Sequence, residues 1–148
     1  MSSRIYLNTA SCGLLSEESL QSTYVLYQGM ITESSTAVEP LRDHGLQRIR
    51  ETMASFLDAP ASNVVFLPNF SFGINALVQS LRGDEKVLLY NNDYPSLTAP
   101  FKANNFNITW IDAQDGFTIR MDELKELALK NKVDMIVISH VQWLSALK

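Results

Sequence analysis

This chain has one cysteine in 148 residues, Cys12, so it can form neither an internal disulfide nor a Cys-rich metal site, and that scarcity fits a reducing, cytoplasmic compartment. Its two histidines, His44 and His140, are far apart and do not form a zinc pattern with that cysteine. No Lys/Arg cluster stands out, and 12 basic against 16 acidic side chains leave a net charge of −4. This argues against nucleic acid or an anionic membrane surface as partner. No apolar run approaches the ~18 residues of a membrane span, and Met1–Tyr6 lacks the apolar stretch of a signal peptide. Glycine is sparse at six residues, with neither G-x-G-x-x-G nor G-x-x-x-x-G-K-[ST], so dinucleotide and P-loop sites lack their defining residues.

What is present is alternation of short β-rich runs with helical periodicity. Val64–Leu67, Val87–Tyr90, Ile108–Ile111 and Met135–Ile138 are continuous apolar runs that suit strands covered on both faces. Ile74, Leu77, Val78 and Leu81 share one helix face, with Gly83 as the stop; Leu124, Leu127 and Ala128 repeat the spacing after Asp122, read as an N-cap. This order predicts an α/β fold with a largely parallel sheet. The first third differs. Ser16-Glu17-Glu18 reads as a helix start, Thr32–Thr36 as a polar joint, and Leu46, Ile49, Met53, Phe56 and Leu57 as the face of a second helix ending before Pro60. No internal repeat, low-complexity tract or linker divides the chain. Lys148 falls inside the loop after the fourth run, which reads either as a short domain with a loose tail or as part of something larger.

Two turns carry candidate chemistry. Pro68-Asn69-Phe70-Ser71-Phe72-Gly73 joins a strand end to a helix start, where free backbone N–H groups and the Ser71 hydroxyl can hold an anion; the alternative makes Ser71 or Asn69 an N-cap and nothing more. In Asn91–Ser96, Pro95 keeps Tyr94 extended at a strand end, so its ring can stack on a planar ligand or pack under its own loop, and Ser96 reads as the cap of the next helix. Cys12, in a small-residue turn, has no local base or cation and reads as inert. His44 is expected on a solvated helix face, and His140 as a satisfied histidine ending a buried strand.

Several stretches, in chain order, resemble the class V aminotransferases, the group that includes the cysteine desulfurases. Ile5-Tyr6-Leu7-Asn8-Thr9-Ala10-Ser11 is similar to the family's "YLDNAA", Val64–Asn75 to "IVFTRNATEAIN", and Gly83-Asp84-Glu85-Lys86-Val87 to "GDEV". Asp93-Tyr94-Pro95-Ser96 stands where desulfurases have "EHH", and Ile138–Trp143 resembles "ISHVQ" followed by an aromatic residue. The last two variants resemble the kynureninase-like and epimerase-like branches. The resemblance implies the three-layer α/β/α fold of pyridoxal 5′-phosphate (PLP) transferases, here its N-terminal portion, with residues 1–60 as N-terminal arm and helices and 61–148 as the first part of the PLP-binding large domain. It further implies a homodimeric enzyme acting on an amino acid by transaminase, desulfurase, epimerase or kynureninase-type chemistry. It places the cofactor phosphate on Phe70 and Ser71, the pyridine ring against Tyr94, and Gln142 beside the cofactor. Gln142-Trp143 replaces the desulfurase Ser-Asn pair, so that pair's Asn contact is not implied. The Schiff-base lysine and the aspartate that pairs with the pyridine nitrogen are expected beyond residue 148, which would leave this chain alone inactive. The rival expectations are a non-catalytic remnant and an unrelated α/β phosphate-binding module.

Overall fold

A computed structural model describes residues 5–9, 12–113 and 115–148, so Ala10 and Ser11 of the small-residue turn beside Cys12 lie outside the described residues. The chain divides into two compact units, Met1–Phe66 and Leu67–Lys148.

The first unit is helical. Helix α1 (Glu17–Glu33) starts as expected: the Ser16 hydroxyl accepts from the Ser19 N–H at 3.1 Å, and Glu17 and Glu18 lie at the positive end of the dipole. The expected polar joint is largely helical. A 3₁₀ turn (Ser34–Val38) and a π-helical turn (Leu41–Gly45) lead straight into α2 (Leu46–Phe56). Only Leu57 caps α2, three residues ahead of Pro60. Val64–Leu67, expected as a strand, is not one: a 3₁₀ turn (Ala61–Asn63) ends at an extended Val64, but among the described residues no strand pairs with the run. Residues can be extended without forming a strand, because a strand exists only through hydrogen bonds to a neighbour. Val65, Phe66 and Leu67 are correspondingly exposed.

The second unit holds the sheet. Strands β1 (Lys86–Tyr90), β2 (Asn107–Ile111) and β3 (Met135–Val137) run parallel in the order β2-β1-β3, with Val87 opposite both Ile108 and Met135. The central strand is the driest part of the chain, with Val87, Leu88 and Leu89 fully buried. Its two faces meet different helices. Val87 and Leu89 pack with Ile74 and Val78 of α3 (Phe70–Ser80) and with Leu97 and Phe101 of α4 (Pro95–Ala103). Leu88 and Tyr90 pack with Ile111 and with Leu124 of α5 (Met121–Asn131). Residues 67–148 thus form three layers, α/β/α, and the period-2 alternation along β1 assigns each apolar residue to a layer.

Two expected caps move. Arg120, not Asp122, precedes α5, which leaves Asp122 in the first turn paired with the Arg120 guanidinium at 2.7 Å. Tyr94, not Ser96, precedes α4, because Pro95 takes the first helical position where its missing N–H costs nothing. The turn into β1 uses Gly83 at φ +93°, outside the range comfortable for other residues. There the buried Glu85 carboxylate accepts from the N–H groups of Arg82 (3.0 Å) and Gly83 (2.8 Å). These bonds, the one from Arg82 foremost, hold the Glu85 pKa below its ordinary value.

Candidate functional site

The start of α3 is built by Asn69. Its backbone is extended, and its side-chain oxygen accepts from the Phe72 N–H at 2.8 Å, so Asn69 takes the N-cap role. Ser71 is therefore left out of the cap. Among the described residues, the N–H groups of Phe70 and Ser71 and the Ser71 hydroxyl have no hydrogen-bond acceptor, and both residues are exposed. Unpaired N–H groups at the positive end of a helix, with a hydroxyl beside them, suit an anion. Ser71 also lines a cavity of about 240 Å³ together with Asn75, Ser96, Ala99, Pro100 and Ala103. Ser96, moved out of the cap position, turns toward the same space.

Tyr94 sits at the carboxyl end of β1, in the loop that leads into α4. The residue is 45% exposed, and its ring meets Trp143 edge-on, at 5.7 Å between centroids and 72° between planes. Trp143 is held from the other side, its indole N–H donating to the Asn92 carbonyl at 3.1 Å. The loops after β1 and β3, neighbouring strands of the sheet, thus meet at an aromatic pair. In parallel α/β sheets, ligands bind outside the carboxyl ends of the strands.

A second link joins the same loops. The Asp93 carboxylate, 4% exposed, accepts from the Tyr94 N–H (2.7 Å), the Ser139 N–H (2.8 Å) and the Ser139 hydroxyl (2.5 Å). Neither Asp93 nor Ser139 was a candidate from the sequence, since their 46-residue separation hides the pairing. The signal available was an aspartate in a strand-end turn, a position where a side chain can reach across to the next strand's loop.

Gln142 lies elsewhere in this region. Its side-chain nitrogen donates to the Ser139 carbonyl at 3.3 Å, and its backbone exchanges hydrogen bonds with Ala146 and Leu147. It lines a separate cavity of about 480 Å³ with Phe117, Ile138 and His140, so Ser71 and Gln142 open onto different spaces. His140 corrects the expectation of a buried strand-end histidine. The strand stops at Val137 and His140 is exposed in the turn beyond it. His44 is exposed, as expected, and so is Cys12.

Together these features define a parallel α/β domain with an anion-ready helix start and an aromatic platform at its strand ends. The family model of aminotransferase class-V matches residues 5–145, nearly the whole length, and the chain belongs to that family. This membership sets aside the unrelated phosphate-binding module. No curated protein matches the chain. No helix among the described residues is long and apolar enough to cross a membrane.

Proposed function

We propose that this chain carries the cofactor-binding part of a PLP-dependent enzyme acting on an amino acid, with the cofactor phosphate on the first turn of α3 and the pyridine ring against Tyr94. The family is PLP-dependent in general, and one observation carries the placement here: Phe70 and Ser71 offer two backbone N–H groups and a hydroxyl that their own helix leaves unused. These are neutral donors, and what favours an anion at them is the positive end of the helix dipole. Bound there, PLP would supply an electron sink for breaking a bond at the α or β position of the substrate. The chain's own contribution is binding and orientation. Ser71 and Phe70 fix one end of a flat ligand, and the Tyr94 ring sets the plane of the other.

Gln142, next to Trp143 in the loop after β3, belongs to the same proposal as a cofactor-binding residue, on the resemblance. The rest of the reading is proposed on the resemblance: transaminase, desulfurase, epimerase or kynureninase-type chemistry, a homodimer in the cytoplasm, and a Schiff-base lysine and pyridine-nitrogen aspartate outside residues 1–148, so that this stretch binds cofactor without turning over substrate.

Equilibrium dialysis against PLP tests the placement. Ser71→Ala removes a charge-assisted hydrogen bond worth ~1.5–3 kcal/mol, so affinity should fall ~10–100-fold. Equal affinity in the variant and the parent chain would take Ser71 out of the phosphate site.

A further inference from the structure

Asp93 is a buried carboxylate that accepts three hydrogen bonds, and all three donors belong to the two loops that carry the aromatic pair. One oxygen, Oδ1, receives the Tyr94 N–H and the Ser139 hydroxyl; the other, Oδ2, receives the Ser139 N–H. The Trp143–Asn92 hydrogen bond closes the same pair of loops from outside, and the Tyr94 and Trp143 rings meet between these ties. A loop tip anchored by a neutral contact can shift by an ångström at little cost, whereas hydrogen bonds to a buried charge resist displacement.

We propose that Asp93 is the positioning residue of this site: its carboxylate locks the Ser139 turn to the Tyr94 loop, and so fixes the Tyr94 ring at the angle a flat heteroaromatic ligand requires. That the ligand is PLP rests on the function proposed above; the lock itself rests on the hydrogen bonds alone. Asp93 touches no ligand in this arrangement and acts through Tyr94. The N–H of Tyr94 belongs to the residue just ahead of α4, whose first turn is tied to the Tyr94 carbonyl by the Leu97 N–H at 2.8 Å. Holding that one amide therefore holds the root of the side chain.

Asp93→Asn is the sharpest variant, because its amide nitrogen must face one of three donors and break at least one bond. PLP and inorganic phosphate are the two probes, each measured by dialysis on the whole 148-residue chain. We expect Asp93→Asn to weaken PLP about tenfold, the loss of roughly one charge-assisted hydrogen bond, while phosphate, held by α3 alone, binds as before. In a Tyr94→Ala background the same change should no longer affect PLP, since the residue it positions is gone. An Asp93→Asn chain that binds PLP as the parent does, or that loses PLP equally with and without Tyr94, overturns the proposal. Should Asp93→Asn fail to fold, Ser139→Ala removes only the hydroxyl donor and should give the same pattern at about threefold. A parent chain that does not bind PLP sinks the cofactor assignment and leaves the lock to a second readout, the emission of Trp143 in a Trp110→Phe background. There a red shift on Asp93→Asn upholds the lock, and an unchanged spectrum overturns it.

Discussion

Residues 1–66 and 67–148 are both rich in apolar side chains, yet only the second stretch buries them. In the first, Ala54 is the one buried position among the described residues, while Leu20, Tyr24, Val25, Tyr27 and Ile31 of α1 stand open, as does Phe56 of α2. In the second, β1 runs through a core shielded on both faces by α3, α4 and α5. The helices of the first stretch are held by local devices: the Ser16 cap, backbone ladders, and the Gln47–Glu51 and Arg50–Gln47 side-chain bonds one turn apart. The side-chain pairs contribute only tenths of a kcal/mol each and the cap about 1 kcal/mol, whereas each large side chain buried in a core contributes ~1.5–3 kcal/mol. Secondary structure is thus common to the two stretches, and what separates them is whether a strand is available to receive the apolar faces.

The comparison breaks most readily at matched phenylalanines. Phe101 is fully buried on α4 and meets Phe106 edge-on at 5.4 Å; Phe56 is 81% exposed at the end of α2. Phe101→Ala should destabilise residues 67–148 by ~3–5 kcal/mol through lost burial and a cavity. Phe56→Ala should stay within ~0.5 kcal/mol, as surface changes do. Denaturant unfolding of both variants decides it. Equal losses would mean that the first stretch has a core of its own and that the contrast is false.

A smaller effect, and a sharper one, lies in the two helix caps. Ser16→Ala and Asn69→Ala each remove a side-chain acceptor at a helix start, a change of about 1 kcal/mol. At Ser16 the loss should appear as reduced helicity with the sheet unaffected. At Asn69 it should also change anion binding, since the Phe72 N–H released from its cap joins those of Phe70 and Ser71 at the same helix end. Circular dichroism read beside phosphate dialysis separates the two. If both caps lower helicity and neither changes phosphate binding, the start of α3 is an ordinary helix end.

This contrast also explains what the sequence made legible. Apolar periodicity is a local signal, so α2, α3 and α5 and the three strands could be read from it to within a few residues. Val64–Leu67 carries the same signal as the true strands and fails for lack of a partner, which no window of residues encodes. The helical course of 34–45 was hidden by its polar composition. Ser71 and Tyr94 stand out in the sequence through a family resemblance more than through local spacing, and at the start of α3 the cap goes to Asn69. The Asp93–Ser139 pairing is not legible in the sequence, because hydrogen bonds across 46 residues of chain depend on the sheet order, and the sheet order follows from which faces the helices cover.

The smallest expected effect is the response to acid, and it too falls in 67–148. Asp115 sits in the turn between β2 and α5, where the Thr118 side chain, followed by the N–H groups of Thr118 and Phe117, lowers its pKa from 3.8 to about 2. Its Oδ1 accepts those two N–H groups at 2.7 and 2.9 Å. A carboxyl group that is harder to protonate in the folded chain than in the unfolded one binds fewer protons when folded, so it stabilises the fold above its ordinary pKa. That contribution is whole above pH 3.8 and drains away as pH falls toward about 2. Glu85, lowered from 4.5 by the Arg82 and Gly83 amides, acts in the same direction from a slightly higher pH. Asp115→Asn keeps an oxygen for the turn but has no proton to gain. Its melting temperature should therefore fall less steeply than the parent's between pH 4 and 2, and should be slightly lower near neutrality, where the charge-assisted bonds are missing. Because the side chain is exposed, the shift should be small and should shrink with added salt. Thermal melts across that pH range, at low and high salt, measure it. Parallel acid limbs for parent and variant would show that the turn ahead of α5 is held by its backbone alone.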